Sequence, residues 1–347
     1  MSEMRLQRWL RSPIVWPLAG LALLLVVNLV HNPAFLHIGV LDGHLEGQPI
    51  AIFNNGARTL LLALGMTLVI ATGGVDLSVG SVMAVAGATA GALLTSEHPQ
   101  FHALPLVLGV SLGVGALAGL LNGVLVAYAG IQPIVATLIL MVSGRGIAQL
   151  ISHGNVLLIR SPGFGYIGKG FLLGLPFAAV LAVALYTVAQ LGLRRTAAGL
   201  FIEAVGDNPV ASRFAGLATA RVACLAYLAS GLCAALAGVM DAANIGAADP
   251  YRSGENMELD AIFAVVVGGT ALTGGRFTLL GSFVGVLLLQ TLTPTLVFLG
   301  VDPPVAPVPK ALLIVIVCVL QSDLTRRWLK NLLPSKATVS VAGRVAS

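Results

Sequence analysis

"ALGMTLVIATGGVDLSVGSVMAVAGAT", residues 63–89, decides how the whole chain is read. Two apolar stretches flank a short polar insert, and each belongs to a longer run, 57–73 before the insert and 77–95 after it. A helix needs roughly 17–25 apolar residues to cross about 30 Å of hydrocarbon. Between the runs, Gly73 and Gly74 interrupt the helical pattern, and Asp76 and Ser78 stand where the next helix begins. Hydrocarbon offers no hydrogen-bond partner, so backbone broken near membrane depth must be enclosed by protein or face water. Asp76 then has two readings. It can cap the following helix, satisfying free N–H groups at the positive end of the helix dipole, or it can touch a solute path.

The same pattern runs through the 347 residues. Hydrophobic residues make up 57% and charged residues 10% of the chain, against about 25% charged in soluble domains. Ten spans are placed at 14–30, 57–73, 77–95, 104–128, 132–152, 171–193, 221–243, 258–273, 277–298 and 306–322. The fold class is therefore an all-α integral membrane protein of about ten transmembrane helices. A tail at 1–13 precedes a membrane domain at 14–322, and a second tail follows at 323–347. The first run follows Arg5, Arg8 and Arg11 but lacks a small-residue cleavage site, so it reads as a retained helix. Cys224, Cys233 and Cys318 lie in apolar runs. The first two sit about 13 Å apart along one helix, too far for a disulfide, and all three read as packing residues with no metal set among them.

Charge placement orients the chain. With both ends in the cytoplasm, the inner segments hold thirteen of the nineteen basic residues, from Arg5 through the Arg194/Arg195 pair to Arg344. The outer segments hold five (Arg58, Arg160, Lys169, Arg252 and Lys310), and Arg145 falls within a span. That asymmetry favours this orientation. The six histidines then lie outside or at the outer boundary, which excludes a buried histidine relay.

Two Gly-rich segments echo each other, "TGGVDLSVG" (72–80) and "VGGTALTGG" (267–275). The echo fits two parallel pseudo-repeats, and it equally fits a chance likeness of Gly-rich turns. Gly87/Gly91, Gly109/Gly113, Gly115/Gly119/Gly123 and Gly281/Gly285 keep the four-residue spacing that lets helix backbones approach closely in lipid. "GFGYIGKG" (163–170) nearly spells a phosphate loop, but Gly170 stands where a magnesium-holding hydroxyl belongs and no strand precedes it. "GVSLG" (109–113) lies mid-span without the strand-turn-helix setting of a nucleophile elbow, so its glycines read as packing. With no HExxH or CxxC either, the chain reads as non-catalytic. Arg145 and Asp260, in or near spans, are candidates for function by default; Arg145 could also hold a neighbouring carbonyl or snorkel. Asn122, Gln132, Thr137, Gln149 and Gln290 can offer hydrogen bonds to a hydroxylated solute or join helices, the commoner use.

The stretch "FIEAVGDNPVASRFAGL" (201–217) lies in the polar segment 194–220. A short helix through Glu203 is predicted to stop at Gly206, in a left-handed C-terminal position. Asp207 or Asn208 can cap a second helix that Pro209 begins and Gly216 closes. Val210 and Phe214 share a face at i,i+4 spacing and make a small apolar knob. A capped elbow with a knob on the cytoplasmic side reads as a docking element for a soluble partner.

At these residues the chain resembles the inner-membrane permeases of bacterial ABC sugar importers, in the ribose class. The signatures are "TGGVDLSVGS" (72–81), "EAVGDNPVASRFAG" (203–216) and "VVGGTALTGGRFTLLGSFVG" (266–285), and the likeness covers roughly 14–322. "LDGHLEGQPI" (41–50) and "IQPIVATLILMVSGRGIAQLIS" (131–152) bring it nearest the galactofuranose-transporting members. The resemblance implies a pore of two permease subunits, homodimeric or paired with a paralogue, in the bacterial inner membrane. It also implies a periplasmic sugar-binding protein and a cytoplasmic ATPase that binds the ATP and magnesium, with no cofactor on this chain. Glu203, Ala204, Gly206 and Asn208 would form the element that seats in the ATPase, beside the knob of Val210 and Phe214. Asp76, Ser78, Asn122, Gln132, Thr137, Arg145 and Gln290 are the candidates for a monosaccharide path. The competing reading is an ion-coupled secondary sugar transporter, with Asp76, Asp241, Asp260 and Arg145 carrying the coupling ions.

Overall fold

A helix stands at each of the ten expected spans, but by length and composition six of the described helices are long and apolar enough to cross a membrane. The structure, a computed structural model, describes residues 14–321 apart from 42, 303, 304 and 306. Helix α1 (Val15–His31) leads through a hairpin of β1 (Gly39–Leu41) and β2 (His44–Glu46) into α2 (Gln48–Ala71). Then come α3 (Val79–Leu94), α4 (Leu104–Ala127) and α5 (Pro133–Ile151). Next are β3 (Leu157–Leu158), α6 (Pro162–Lys169), a hairpin of β4 (Phe171–Leu172) and β5 (Leu175–Pro176), and α7 (Phe177–Arg195). The elbow follows as α8 (Ala197–Asp207) and α9 (Pro209–Phe214), then α10 (Thr219–Ile245) and β6 (Ala247–Ala248), which pairs with β3. The chain continues through α11 (Met257–Val267), α12 (Leu279–Phe298) and α13 (Pro307–Gln321). The long apolar six are α2, α4, α5, α7, α10 and α12.

Helices α2 and α10 form the enclosed centre, while α4, α5 and α7 carry most of their side chains on the outside of the bundle. Glycine sets how closely the central helices pack. A Cβ on Gly119 would meet the backbone of Tyr227 and Gly231, and one on Gly123 would lie 2.9 Å from Cys224. Gly87 likewise faces Gly238, and Gly285 faces Ala264. Gly109 and Gly113 differ from the expected packing role, since no atom lies within 4 Å of a Cβ at either. The reason is helical phase. Ser111, Gly115, Gly119 and Asn122 are the buried stripe of α4, and positions two residues out of step point the other way. Side-chain hydrogen bonds add to the packing: Asn28 to Thr295 at 2.7 Å, Thr67 to Ser282 at 2.9 Å, and the Tyr186 hydroxyl to the Leu279 carbonyl at 2.6 Å.

Several boundaries move from their sequence-based places. Helix α2 starts at Gln48 rather than 57, so Arg58, expected outside, sits ten residues inside a helix. It can do so because it forms an ion pair with Asp241. Lys310, also expected outside, lies within α13 and is held by both oxygens of Asp260 at 2.9 and 3.0 Å. Residues 163–169 lie in the helix α6, which Ser161 caps and Gly170 ends, and Gly168 packs on the backbone of Ala243 and Asn244. Cys224 and Cys233 lie on one helix as free thiols. The side chain of Cys318 and the tails at 1–13 and 323–347 lie outside the described residues.

The echo between 72–80 and 267–275 has a structural counterpart, displaced by one residue. Both α2 and α11 end in a left-handed glycine, Gly73 (φ +83°) and Gly269 (φ +90°). The next N–H in each bonds back to the carbonyl five residues earlier, Gly74 to Val69 at 3.0 Å and Thr270 to Val265 at 3.2 Å. Both are Schellman-type closures. The geometry pairs Gly73 with Gly269, whereas the letters pair Gly73 with Gly268. The echo thus coincides with two similar helix ends whose geometry is offset by one residue from the letters.

Candidate functional site

Helix α11 is eleven residues long, about 16 Å by helical rise and half of a hydrocarbon core. Its approach explains the length. Ala248 packs on Gly91 near the end of α3, while Gly254 packs on Gly80 near its start. Those glycines lie eleven residues apart, so the chain from 248 to 254 descends about 16 Å along α3. Non-helical backbone at that depth must be held by protein or line water. Both occur here. Arg145 of α5 donates to the Ser253 carbonyl, and the Ser253 hydroxyl donates to Asp241 Oδ2 at 2.8 Å. Above this descending segment opens a cavity of about 440 Å³. Its walls are Asn55, Arg58 and Thr59 of α2, Asp241 of α10 and Gln290 of α12, and its floor runs from Asp249 to Asp260. Gln290 Nε2 donates to Thr59 Oγ1 at 2.9 Å, tying two walls together.

Four of the other candidates gather at the first helix break, just before Gly80, on which the cavity-lining Gly254 packs. Asp76 is buried, 1% exposed. Its Oδ1 accepts the Ser78 N–H (3.0 Å) and hydroxyl (2.6 Å), and its Oδ2 accepts the Ser230 hydroxyl (2.8 Å). Asn122 Nδ2 donates to Ser78 Oγ at 2.8 Å, while Asn122 Oδ1 is buried without a partner. Thr137 donates to the Pro133 carbonyl at 2.9 Å and faces Val75. Asp76, Ser78 and Asn122 therefore form a hydrogen-bonded cluster at the first helix break, with Thr137 beside it and Asn122 Oδ1 left unpaired. Asp76 is not itself the N-cap of α3, since Ser78 holds that position. Of the seven path candidates, Gln290 alone lines the large cavity. Arg145 braces its floor, and Gln132 stands exposed at the start of α5.

Sequence reasoning passed over Asn55, Arg58, Ser253 and Asp249 as parts of a site. Asn55 and Arg58 or Thr59 recur at i,i+3/i+4 spacing on one helical face, a signal that was readable once α2 is extended through its polar first turns. Asp241, Asp260 and Arg145 were candidates for ion coupling. In the structure each already has a partner: Arg58, Lys310 and the Ser253 carbonyl.

The elbow lies beside the helix breaks. Asn208 interrupts the helix in extended conformation, and its Oδ1 caps α9 through the Ala211 N–H at 2.9 Å. Ser212 donates to the Ala204 carbonyl at 2.7 Å and folds α9 back on α8, and Gly216 closes the elbow at φ +87°. Gly206 differs from its expected left-handed place. It lies inside α8, which runs on to Asp207, because the space around it and not its φ requires glycine. A Cβ there would fall within the Ala71 carbonyl and the Gly275 amide, groups that bond each other at 3.0 Å. Gly274 completes the junction, with a Cβ position 2.9 Å from both the Gly206 carbonyl oxygen and Gly73. One backbone of the elbow thus rests directly on both helix breaks. Phe214 is 89% and Val210 64% exposed at its outer end. Glu203 is half-buried and lines a smaller cavity of about 320 Å³ with Arg194, Thr196 and Thr278.

The family described as branched-chain amino acid transport system / permease component matches residues 48–320. The galactofuranose transporter permease protein of Escherichia coli strain K12 is 48% identical over 318 residues, covering 91% of this chain and 92% of that protein. The fructose import permease protein of Bifidobacterium longum strain NCC 2705 is 36% identical, covering 98% and 96%. The ribose import permease protein of Bacillus subtilis strain 168 is 36% identical, covering 88% and 91%. No solved structure matches the chain.

Proposed function

The chain belongs to this permease family, and from that premise we propose that it is the multi-pass inner-membrane subunit of a binding-protein-dependent ABC importer for a monosaccharide. The near full-length relatives named for sugars favour a sugar over the amino acids in the family's description. The 48% identity favours galactofuranose among sugars. ATP hydrolysis belongs to a separate ATPase, a second permease subunit completes the pore, and a periplasmic protein delivers the sugar. Both termini are cytoplasmic. The division of described basic residues supports this: Arg194, Arg195, Arg213, Arg221 and Arg276 flank the elbow and helix breaks, against Arg160, Lys169 and Arg252 at the hairpin end.

One observation carries the mechanical reading. The exposed pair Val210 and Phe214 stands on an elbow whose base, Gly206, touches both helix breaks. Helix α11 connects the second break to the floor of the large cavity. A push on the knob therefore reaches the cavity floor through one short rod. The pairing of Asp241 and Asp260 with basic side chains argues against the ion-coupled alternative.

The test is uptake of labelled galactofuranose, fructose and ribose into proteoliposomes containing the complete complex. Galactofuranose uptake that needs ATP and the binding protein is expected. Phe214→Asp should place a charge in the partner's apolar groove and abolish uptake and ATPase association while leaving the permease folded. Uptake of none of these sugars would overturn the reading, and unchanged coupling in Phe214→Asp would reduce the elbow to an ordinary loop.

A further inference from the structure

Helix α7 and the hairpin before it carry their own depth marks. No charged residue stands between Lys169 and Arg194, so one apolar stretch covers both the hairpin of β4 and β5 and the helix. Arg194 and Arg195 are exposed at the end of α7 and belong at a headgroup layer, where their charges stay solvated. From there the nineteen residues of α7 rise about 28 Å, just short of the roughly 30 Å of hydrocarbon. The hairpin therefore begins at the far acyl boundary.

Its residues suit that level. Leu172, Leu173 and Leu175 are exposed, Leu173 at 94%, together with Val40 and Leu41 of the neighbouring hairpin. Leu173 turns the chain at φ +52°, where asparagine or glycine is favoured, so the turn itself does not call for leucine. Tyr166 packs its exposed ring on Phe177 and donates its hydroxyl to the Phe171 carbonyl at 2.6 Å. Such amphipathic rings gather at membrane interfaces. The hairpin backbone is also tied within the protein: Phe177 N–H bonds to the Gly170 carbonyl, Gly170 N–H to the Tyr166 carbonyl and Leu45 N–H to the Gly174 carbonyl, each at 2.8 Å. Lipid tolerates only backbone satisfied in this way. The His44 ring, stacked on Phe171 with centroids 3.9 Å apart, holds the two hairpins together.

We propose that the paired hairpins are a membrane anchor, seated at the headgroup and acyl boundary of the leaflet at the hairpin end, with Leu172, Leu173 and Leu175 against lipid chains. A protein-docking knob stands beyond the basic residues that mark a headgroup layer, as Phe214 does beyond Arg194 and Arg195. Leu173 lies inside the interval that Lys169 and Arg194 bracket. The anchor gives α2, which follows β2 after one residue, a footing in lipid. It requires that the chain span a membrane, and it holds whatever the sugar and whichever end faces the cytoplasm.

The experiment places a spin label on Leu173→Cys, in a chain lacking the three native cysteines. The permease–ATPase complex is studied by EPR in nanodiscs of phosphatidylethanolamine and phosphatidylglycerol. Collisions with oxygen, which concentrates among acyl chains, are compared with collisions with a water-soluble nickel chelate. Gln100→Cys, in the exposed turn Pro99–His102, is the aqueous control. The oxygen-to-nickel ratio at 173 should be several-fold above that at 100 and should not change when the binding protein is added. A ratio equal to that at 100 would put the tip in water and overturn the anchor. Protection from both reagents, with or without the binding protein, would put a protein against the tip and overturn it equally. With the label moved to Leu175→Cys, adding Leu173→Asp should lower the ratio several-fold by withdrawing the tip from lipid. The thermal midpoint in detergent should match the parent's, since the turn accepts aspartate. An unchanged ratio in that variant would also refute the proposal.

Discussion

Replacing Gly206 with alanine separates two forces of opposite sign. In an ordinary helix interior the change gains about 1 kcal/mol, because alanine loses less backbone entropy than glycine. At 206 the added methyl has nowhere to go. Its position coincides with the Ala71 carbonyl and the Gly275 amide, which are backbone atoms of two other segments. Over-packing of a dense site costs about 1–3 kcal/mol, and prising apart the buried Gly275–Ala71 hydrogen bond costs about 1–3 kcal/mol more. The expected net effect is a destabilisation of about 1–5 kcal/mol after the propensity gain is subtracted. Gly192→Ala in α7 is the matched control, since nothing lies within 4 Å of its Cβ, and it should be neutral or stabilising. The assay is the thermal midpoint of the purified chain in detergent, followed by ATPase pull-down and uptake. Gly206→Ala should lower the midpoint and uncouple transport from ATPase turnover. A midpoint equal to or above wild type, with coupling intact, would refute the close-approach argument and leave Gly206 as a helix glycine without mechanical role.

Arg58→Met should destabilise the chain by about 2–4 kcal/mol, because it leaves the Asp241 carboxylate with Ser253 as its remaining partner. The double variant with Asp241→Leu should recover part of that loss in a thermal-midpoint cycle, and additive losses would show that the pair is not coupled. For topology, cysteines at positions 163 and 211 in a background lacking the three native thiols should label from outside and inside respectively. Ala211 is used because the adjacent Ser212 is buried and bonded to Ala204, which would block labelling from either side.

Much of this molecule was legible in its letters. Apolar runs marked where helices stand, and six of the described helices are long and apolar enough to cross about 30 Å of hydrocarbon. The elbow was equally plain: Asn208, Pro209 and Gly216 act through local backbone geometry, so their roles do not depend on distant partners. Where the governing contact was remote in sequence, the reading failed or stayed open. Arg145 stayed open because the carbonyl it holds, that of Ser253, lies 108 residues away in the chain. Arg58 looked like a loop charge because its partner lies 183 residues further on, and a buried pair can sit where a lone charge cannot. Gly206 was assigned the right residue type for the wrong cause, since conformational freedom can be read locally while crowding by Ala71 and Gly275 cannot. Helical phase on α4 could be computed from sequence, but which phase faces α10 could not, and Gly109 and Gly113 fell on the open side. The cavity belongs wholly to tertiary structure. Its walls come from α2, α10 and α12, and its floor exists because Gly80 and Gly254 let an irregular segment descend beside α3.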